Sequence, residues 1–272
     1  MFRVQNSGSM SAVASARSAI RFYWRLKSSS PSPTDSHFVE FFIKGLARKY
    51  KNVPNKAYPI SYDELCQIFS AVVGSSSLEE LSFVKLRFVT FLVALYSSFG
   101  RYEEVANLKV SNVVKEDCAW VLSFKKGKSY QFGESNIGVV VNLPGLLFNP
   151  SAIFSLYFQK ISSLYALSTC KTDFLFPSFR AYKSSVTPLE HPVSYDVIQS
   201  YFKFMVSEVG IPVGISKVGL HCMRRGGVTH AVRNGAVHSV VQKCMRVKSL
   251  QMVPFYASLG PADLCSASKL AF

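Results

Sequence analysis

The sequence predicts a mainly α-helical protein with one small antiparallel β-sheet, and two observations support this prediction. Apolar residues recur at helical spacing in most segments of the chain, whereas two β-rich arms around a Lys and Gly turn occur within residues 118–143. The chain has 272 residues, 49% of them hydrophobic and 14% aromatic, so it is large enough to bury a hydrophobic core.

The N-terminal part is predicted to form two short helices. Residues 11–27 (SAVASARSAIRFYWRLK) have helical apolar spacing, the prolines of SSSPSPTDS interrupt it, and residues 37–50 (HFVEFFIKGLARKY) form the second helix. The basic, proline-punctuated stretch KNVPNKAYPIS at 51–61 is typical of a linker. These features divide the chain into a first domain at 1–50, a linker at 51–61 and a second domain at 62–272.

The second domain begins with two predicted helices, at 62–74 and 78–100, and the latter is apolar nearly all round. A short helix running toward a strand follows at 101–113, and then the predicted hairpin with a strongly cationic tip. From residue 153 onward most segments predict helices. The most apolar run, 88–100, is too short to cross a bilayer and is predicted to be a buried helix.

The charge of the chain indicates a polyanionic partner. Lys and Arg number 31 against 16 Asp and Glu, which gives a formal net charge of +15. This total alone does not distinguish DNA, RNA and an anionic membrane. In addition, no acidic residue precedes Asp35 in a segment rich in Ser, Ala and Arg, a composition shared by mitochondrial transit peptides.

The stretch GLHCMRRGGVTH has a composition that a purely structural helix start does not favour. Stacked cations near the positive end of a helix gain nothing from the helix dipole, so an anion is expected there. On a helix, His221 and Arg224 share a face and could both reach one anionic oxygen. The pair Gly226 and Gly227 lowers helix stability, which is consistent with the close approach of a backbone or a ligand.

Three segments together resemble the tyrosine recombinases of the phage integrase family. HCMRRGGVTHAVRNGA followed by VVQKCMRVKSLQMVPFYASL resembles the family's C-terminal box, which places its histidine and arginine at His221 and Arg224 and its tyrosine at Tyr256. SSFGRYEEVANLKVSNV resembles the first box and places the first arginine at Arg101. FKKGKSYQFG resembles the hairpin segment whose lysine matches Lys128.

The N-terminal segments extend this resemblance over nearly the whole chain. The Arg-Arg-Gly-Gly form of the motif looks closest to recombinases of eukaryotic mobile elements of the Crypton and DIRS type. Residues 1–50 are similar to the latter half of the helical core-binding domain of these proteins, and 62–272 to their catalytic domain. The resemblance implies that the first helices of the core-binding domain are missing from this chain.

The resemblance implies DNA breakage and rejoining through a 3'-phosphotyrosyl intermediate. Arg101 and Arg224 would clamp the phosphate, since a guanidinium meets two phosphate oxygens at once and stays charged. Lys128 would protonate the leaving oxygen, His221 would hydrogen-bond the phosphate or assist proton transfer, and Tyr256 would be the nucleophile. No cofactor and no metal is expected, because the phosphotyrosine retains the energy needed for resealing.

Further basic residues are expected to contact the DNA backbone, namely Lys125, Lys126, Arg225, Arg246 and Lys248. The expected partner is double-stranded DNA, bound by a homo-oligomer to which the C-terminal GPADLCSASKLAF segment could contribute, with no membrane association. The expected location is the nucleus, or the host nucleoid if the source is prokaryotic.

Several alternatives remain open at this point. Val247 stands where the family usually has His or Trp as a phosphate donor, with Arg246 or Lys248 as partial substitutes, so the chain could be a catalytically impaired DNA-binding remnant. A mitochondrial or RNA-associated basic protein is a third possibility. Individually, Tyr256 could be a packed aromatic, Lys128 a solvated basic turn, and Arg101 the partner of a neighbouring glutamate.

Overall fold

The computed structural model of the protein describes residues 10–28, 30–49, 56–125, 136–167, 172–182, 185–214 and 217–257. The chain forms two compact units, Met1–Lys56 and Ala57–Phe272. The helices are α1 Met10–Lys27, α2 His37–Lys49, α3 Tyr62–Val73, α4 Phe83–Ser97, α5 Tyr102–Ala106, α6 Pro150–Leu167, α7 Tyr195–Glu208, α8 His221–Arg233, α9 His238–Met245 and α10 Met252–Tyr256. The strands are β1 Val113–Lys115, β2 Ala119–Phe124, β3 Asn136–Val141, β4 Pro177–Tyr182 and β5 Ser185–Pro192.

The first unit contains α1 and α2, joined by a 3₁₀ turn at Pro33–Asp35. Arg17 Nε donates to the carbonyl oxygen of Thr34 at 3.0 Å, and Arg21 forms an ion pair with Asp35, so both arginines tie α1 to the turn. Large apolar side chains on both helices stay exposed, for example Phe38 at 80%.

The second unit is built around α4. Every residue from Leu86 to Tyr96 is buried, which confirms the prediction of a helix that is apolar nearly all round. The helix is shorter than predicted, because the Ser82 hydroxyl accepts from the Lys85 N–H at 3.4 Å and starts the helix at Phe83. Among the described residues, no helix combines the length and the hydropathy needed to cross a membrane.

The predicted hairpin forms two arms of a three-stranded antiparallel sheet of order β1-β2-β3. Val121 pairs with Val139, and the arms end at the pair of Phe124 and Asn136. The turn between them, with Lys126 and Lys128, lies outside the described residues.

A second antiparallel pair, β4 and β5, corrects the prediction of a single small sheet. Pro188 and Pro192 lie within β5. Because proline cannot donate to a β-ladder, prolines in a short segment weigh against a strand when only the sequence is considered. Here the strands form an isolated two-stranded ribbon, where unpaired edges tolerate proline.

The adjacent glycines of α8 pack against the backbone of the chain itself. A Cβ at Gly226 would lie 2.0 Å from the carbonyl oxygen of Ile60, and one at Gly227 would lie 2.2 Å from that of Tyr96. The close approach expected for this pair is therefore that of a backbone. It lets α8 lie directly against the end of α4.

Replacing Gly226 by Ala is expected to destabilise the second unit, because the methyl group has no space unless α8 moves away from Ile60. We expect the free energy of unfolding in urea to fall by roughly 3 kcal/mol. Gly219→Ala is the matched control, since its Cβ would meet Gln199 at an ordinary 3.7 Å. Equal stability of the two variants would contradict this account of the packing.

A small second cluster of buried side chains joins α8, α9 and α10. Val228 contributes from α8, Val241 and Met245 from α9, and Val253 and Tyr256 from α10. Because these helices share one cluster, Tyr256 is held near the residues of the first turn of α8.

Candidate functional site

The structure brings together four of the five predicted catalytic residues, although they come from distant parts of the chain. Arg101 lies at the start of α5, His221 and Arg224 lie in the first turn of α8, and Tyr256 is the last residue of α10. Lys128 lies outside the described residues.

Arg101 is held by a carboxylate one turn into α5. Its backbone N–H donates to Glu104 Oε2 at 3.0 Å, and its Nη1 donates to Glu104 Oε1 at 2.5 Å. The side chain of Arg101 is nevertheless 25% exposed. The pairing with a neighbouring glutamate therefore exists and leaves part of the guanidinium accessible.

Arg224 is fully buried and is held by main-chain carbonyls. Its Nη1 donates to the oxygen of Phe99 and its Nη2 to that of Met245, both at 2.7 Å. Its Nε is buried without a hydrogen-bond partner in the described part of the chain. Burial, followed by the nearby charge of Arg101, lowers the pKa of Arg224 to about 10, so the group stays charged at neutral pH.

Glu104 is the carboxylate that these cations share. Its side chain is only 2% exposed, and its Oε2 lies 2.9 Å from Arg246 Nη2 and 3.9 Å from Arg224 Nη1. Burial raises the pKa of Glu104, but Arg246 and Arg101 together outweigh it, and the net pKa lies below its ordinary value. One ionised carboxylate thus connects the guanidinium groups of Arg101, Arg224 and Arg246.

The ring of Tyr256 contacts both the histidine and the second arginine of the site. Its centroid lies 5.2 Å from that of the His221 ring and 5.2 Å from Arg224 Cζ. Tyr256 is 9% exposed. Tyr256 is therefore a packed aromatic side chain, and it also lies directly against Arg224 of the predicted phosphate clamp.

His221 is neutral at physiological pH. His221 is solvent-exposed at the start of α8, yet partial loss of hydration around its ring, followed by the charges of Arg224, Arg225 and Arg101, lowers its pKa from 6.5 to about 4. A neutral imidazole can donate a hydrogen bond from one nitrogen and accept at the other. His221 can therefore pass a proton at neutral pH, which a permanently charged imidazolium could not accept.

The depressed pKa of His221 predicts a pH-dependent loss of stability. The unfolded chain binds a proton at this residue near pH 6.5 but the folded chain only near pH 4, so stability falls as the pH drops through this window. We expect His221→Gln to reduce this loss when the free energy of unfolding is measured in urea at several pH values. Identical curves for His221→Gln and wild type would refute the expected shift.

The residues expected to contact DNA have different environments. Lys125 and Lys248 are exposed, whereas Lys126 lies outside the described residues. Arg225 is 4% exposed and Arg246 is 5% exposed. The expectation of a direct DNA contact by these two arginines disagrees with their burial, and Arg246 in particular donates to the protein interior.

Val247, which replaces the usual His or Trp, packs partly buried against the second cluster. An apolar side chain at this place contributes to packing and offers no donor to an anion. Arg246 does not substitute for that donor, because its Nη2 donates to Glu104. The exposed Lys248 is the basic residue next to Val247 that faces solvent.

The role of Glu104 was missed by sequence reasoning, although a local signal was present. Glu at the third helical position is a common capping residue, and Glu104 caps α5 by accepting from the Arg101 N–H. Nothing in the local pattern indicates that Arg224 and Arg246 reach the same carboxylate. Among the described residues, no group of three or more His, Cys, Asp or Glu side chains could hold a metal ion.

Comparison with known proteins identifies a family and several solved structures. The profile of the Phage integrase family matches residues 60–262. No protein of curated function matches the sequence.

Three solved structures illustrate the likeness of the fold. The XerH site-specific recombinase, in a post-cleavage complex with palindromic difH substrate, has a TM-score of 0.57 at 17% identity, over 80% of this chain and 54% of its own. The Tn1549 transposon integrase, in complex with circular intermediate DNA, has a TM-score of 0.62 at 13% identity, over 98% and 81%. A lambda integrase dimer bound to a core site has a TM-score of 0.55 at 13% identity, over 93% and 61%. The chain spans about half the length of the XerH chain in the first of these structures. At identities this low, the comparison shows a similar fold only.

Proposed function

The chain belongs to the phage integrase family, and from this membership we propose that it breaks and rejoins DNA strands with Tyr256 as the nucleophile. One observation carries the proposal. Arg101 and Arg224 approach the same carboxylate while the ring of Tyr256 lies 5.2 Å from Arg224 Cζ, so nucleophile and cations surround one small volume.

The reaction is a transesterification at phosphorus. The Oη of Tyr256 forms a bond to phosphorus and loses its proton, while the bond to the deoxyribose 5' oxygen breaks and that oxygen gains a proton. The neutral His221 is suited to accept or relay the tyrosine proton, and Lys128 supplies the proton to the leaving oxygen. Arg101 and Arg224 stabilise the additional negative charge on the phosphoryl oxygens in the transition state.

The two arginines would meet the phosphate in sequence. Arg101 is 25% exposed and is therefore available to incoming DNA, whereas Arg224 is 0% exposed beneath the ring of Tyr256. Tyr256 has to move off Arg224 before a phosphate can approach the second cation. The same movement would bring the tyrosine oxygen from a packed position into one from which it can attack.

The proposal extends to the biological setting. The partner is double-stranded DNA, to which several protomers bind, and the first unit belongs to a helical core-binding domain. The Arg-Arg-Gly-Gly motif supports an origin in a eukaryotic mobile element of the Crypton or DIRS type and a location in the nucleus. The complex of the Tn1549 integrase with circular intermediate DNA supports the choice of partner.

A second candidate function is DNA binding without turnover. The observation that favours it is Val247, which cannot donate to a phosphate oxygen where the family has a donor. Loss of one such donor costs on the order of 10²- to 10³-fold in rate. This alternative retains the fold and the cationic surface, and it differs from the enzyme in one measurable product.

Incubation with a nicked duplex that traps cleavage distinguishes the two functions. Because the short cleaved strand diffuses away, an active enzyme accumulates as a covalent protein–DNA adduct, which a denaturing gel resolves. Mass spectrometry of the digested adduct should place the nucleotide on Tyr256. DNA binding that falls steeply with salt, without any adduct, would establish the non-catalytic alternative.

The cellular location has a separate test. A fluorescent protein fused behind residues 1–27 should not enter mitochondria, and the full chain fused in the same way should accumulate in the nucleus. Mitochondrial import that depends on residues 1–27 would overturn the proposed location.

A further inference from the structure

Arg246 combines a strained backbone with a buried charge. It follows α9 with φ +56° and ψ +49°, the left-handed conformation that residues other than glycine seldom adopt. Its side chain is 1% exposed. Both features are unfavourable by themselves, so they persist where surrounding contacts compensate for them.

Those contacts come from five separate parts of the second unit. Arg246 Nη2 donates to Glu104 Oε2 at 2.9 Å, and its Cζ lies 4.4 Å from the centroid of the Phe124 ring at the end of β2. Further donations go to the carbonyl oxygens of Cys244 at 2.7 Å, Ser98 at 3.1 Å, Ile137 at 3.3 Å and Phe99 at 3.3 Å. The side chain therefore connects the ends of α4, β2, β3 and α9 to α5.

Two of these acceptors also hold the predicted phosphate clamp. Glu104 Oε2 receives the backbone N–H of Arg101 as well as Arg246, and the Phe99 oxygen receives Arg224 as well as Arg246. Arg246 thus shares one acceptor with Arg101 and another with Arg224, and its own side chain is buried. The charged groups that face Glu104 are Arg101 from the start of α5, Arg224 from α8 and Arg246 from the end of α9.

We propose that Arg246 is a positioning residue for DNA cleavage, which fixes Glu104 and the Phe99 carbonyl so that Arg101 and Arg224 keep one geometry. This inference rests on the proposed function. It replaces the expected direct DNA contact of Arg246, and it gives a reason for an arginine in a conformation that glycine adopts with less strain.

The ionisation of Glu104 gives the role a measurable signature. Burial raises the pKa of Glu104, and Arg246 is the largest influence that lowers it. Without Arg246 the buried carboxyl therefore has a higher pKa. Since the ionised form orients Arg101 and Arg224, activity is lost as the pH falls through this pKa. The acid limb of the pH–rate profile then moves to higher pH when Arg246 is removed.

Variants of the whole 272-residue chain test the proposal with the trapping duplex. Arg246→Gly removes the guanidinium, and because glycine adopts a positive φ without strain, the turn keeps its conformation. Arg246→Lys keeps a charge near Glu104. Arg87→Met is the matched control, because it removes another buried arginine, which donates to Pro177 and contacts no residue of the site.

We expect Arg246→Gly to slow adduct formation on the order of 10²-fold, as a displacement of about 1 Å in an active site does. Affinity for an uncleaved duplex should be unchanged, and the acid limb should move to higher pH. Arg246→Lys should recover part of the rate and the wild-type acid limb. Arg87→Met should lose stability in urea yet keep both the rate, where it is folded, and the acid limb.

The failures of the two proposals are distinguishable. No adduct with the wild-type protein overturns the proposed function and this role together. A wild-type adduct with an unchanged rate and acid limb in Arg246→Gly overturns the role of Arg246 alone. Weakened duplex affinity and a smaller salt dependence of binding in Arg246→Gly would instead assign a direct phosphate contact. If Arg246→Gly is unfolded by circular dichroism, a fully wild-type rate in Arg246→Lys, together with an unaltered rate and acid limb in Glu104→Gln, overturns the role.

Discussion

Replacement of Tyr256 by Phe is expected to abolish the covalent adduct while the protein stays folded and continues to bind DNA. The substitution keeps the ring that packs 5.2 Å from His221 and from Arg224 Cζ, and it removes only the oxygen that would attack phosphorus. Loss of an enzyme's nucleophile lowers the rate on the order of 10⁶-fold, which places the product below detection on a gel.

Tyr201→Phe provides the matched control for this experiment. Tyr201 lies on α7, where its ring packs 4.3 Å from that of Phe88, away from the site. This variant should form adduct at the wild-type rate. An adduct that persists in Tyr256→Phe would show that another side chain attacks the DNA.

Replacement of Arg224 by Lys is expected to reduce both activity and stability. A single ammonium group has no planar fork with which to hold the carbonyls of Phe99 and Met245 as the guanidinium does. We expect adduct formation to slow by about 10²- to 10³-fold, the effect of losing one preorganised donor to a transition state. The free energy of unfolding should fall by roughly 2 to 4 kcal/mol, because a buried acceptor loses its partner.

The two effects of Arg224→Lys are separated by measuring the adduct at a temperature where circular dichroism shows the variant folded. Arg233→Lys, at the exposed end of the same helix, is the control and should change stability by about 0.5 kcal/mol or less. A folded Arg224→Lys variant that reacts at the wild-type rate would exclude Arg224 from the reaction.

The elements of the fold that follow from local chemistry could be predicted. Helix α3 is an example, since Ser61 accepts from the Glu64 N–H at 3.2 Å and Glu64 Oε2 accepts from the Ser61 N–H at 2.8 Å. This capping box can be read from neighbouring letters of the sequence. The β4–β5 pair could not be predicted. Pro188 and Pro192 interrupt the alternation of polar and apolar residues in β5, and each strand is stabilised by pairing with the other, which is not a local property of the sequence.

The candidate site, too, could be predicted only in part. The motifs predicted Arg101, His221, Arg224 and Tyr256 as site residues, and these four lie together. The supporting contacts depend on residues far apart in the chain, as for Arg246 and Glu104, which are 142 positions apart. The sequence does not distinguish a buried arginine from an exposed one. Only the folded structure, in which Arg246 is buried and donates to Glu104, corrects the DNA contact expected for this residue.

The use of main-chain oxygens around Arg224 has a consequence for how such proteins diverge. Every amino acid presents the same carbonyl, so replacement of Met245 can leave the grip on this arginine intact provided that the backbone follows the same path. At Phe99 the positive φ of 49° narrows the choice, and Gly or Asn would be the most readily tolerated replacements. A lineage can therefore accumulate many substitutions around Arg224 while both carbonyl contacts to this arginine are preserved. The contact from Met245 requires no particular side chain, so a sequence alignment would not reveal it.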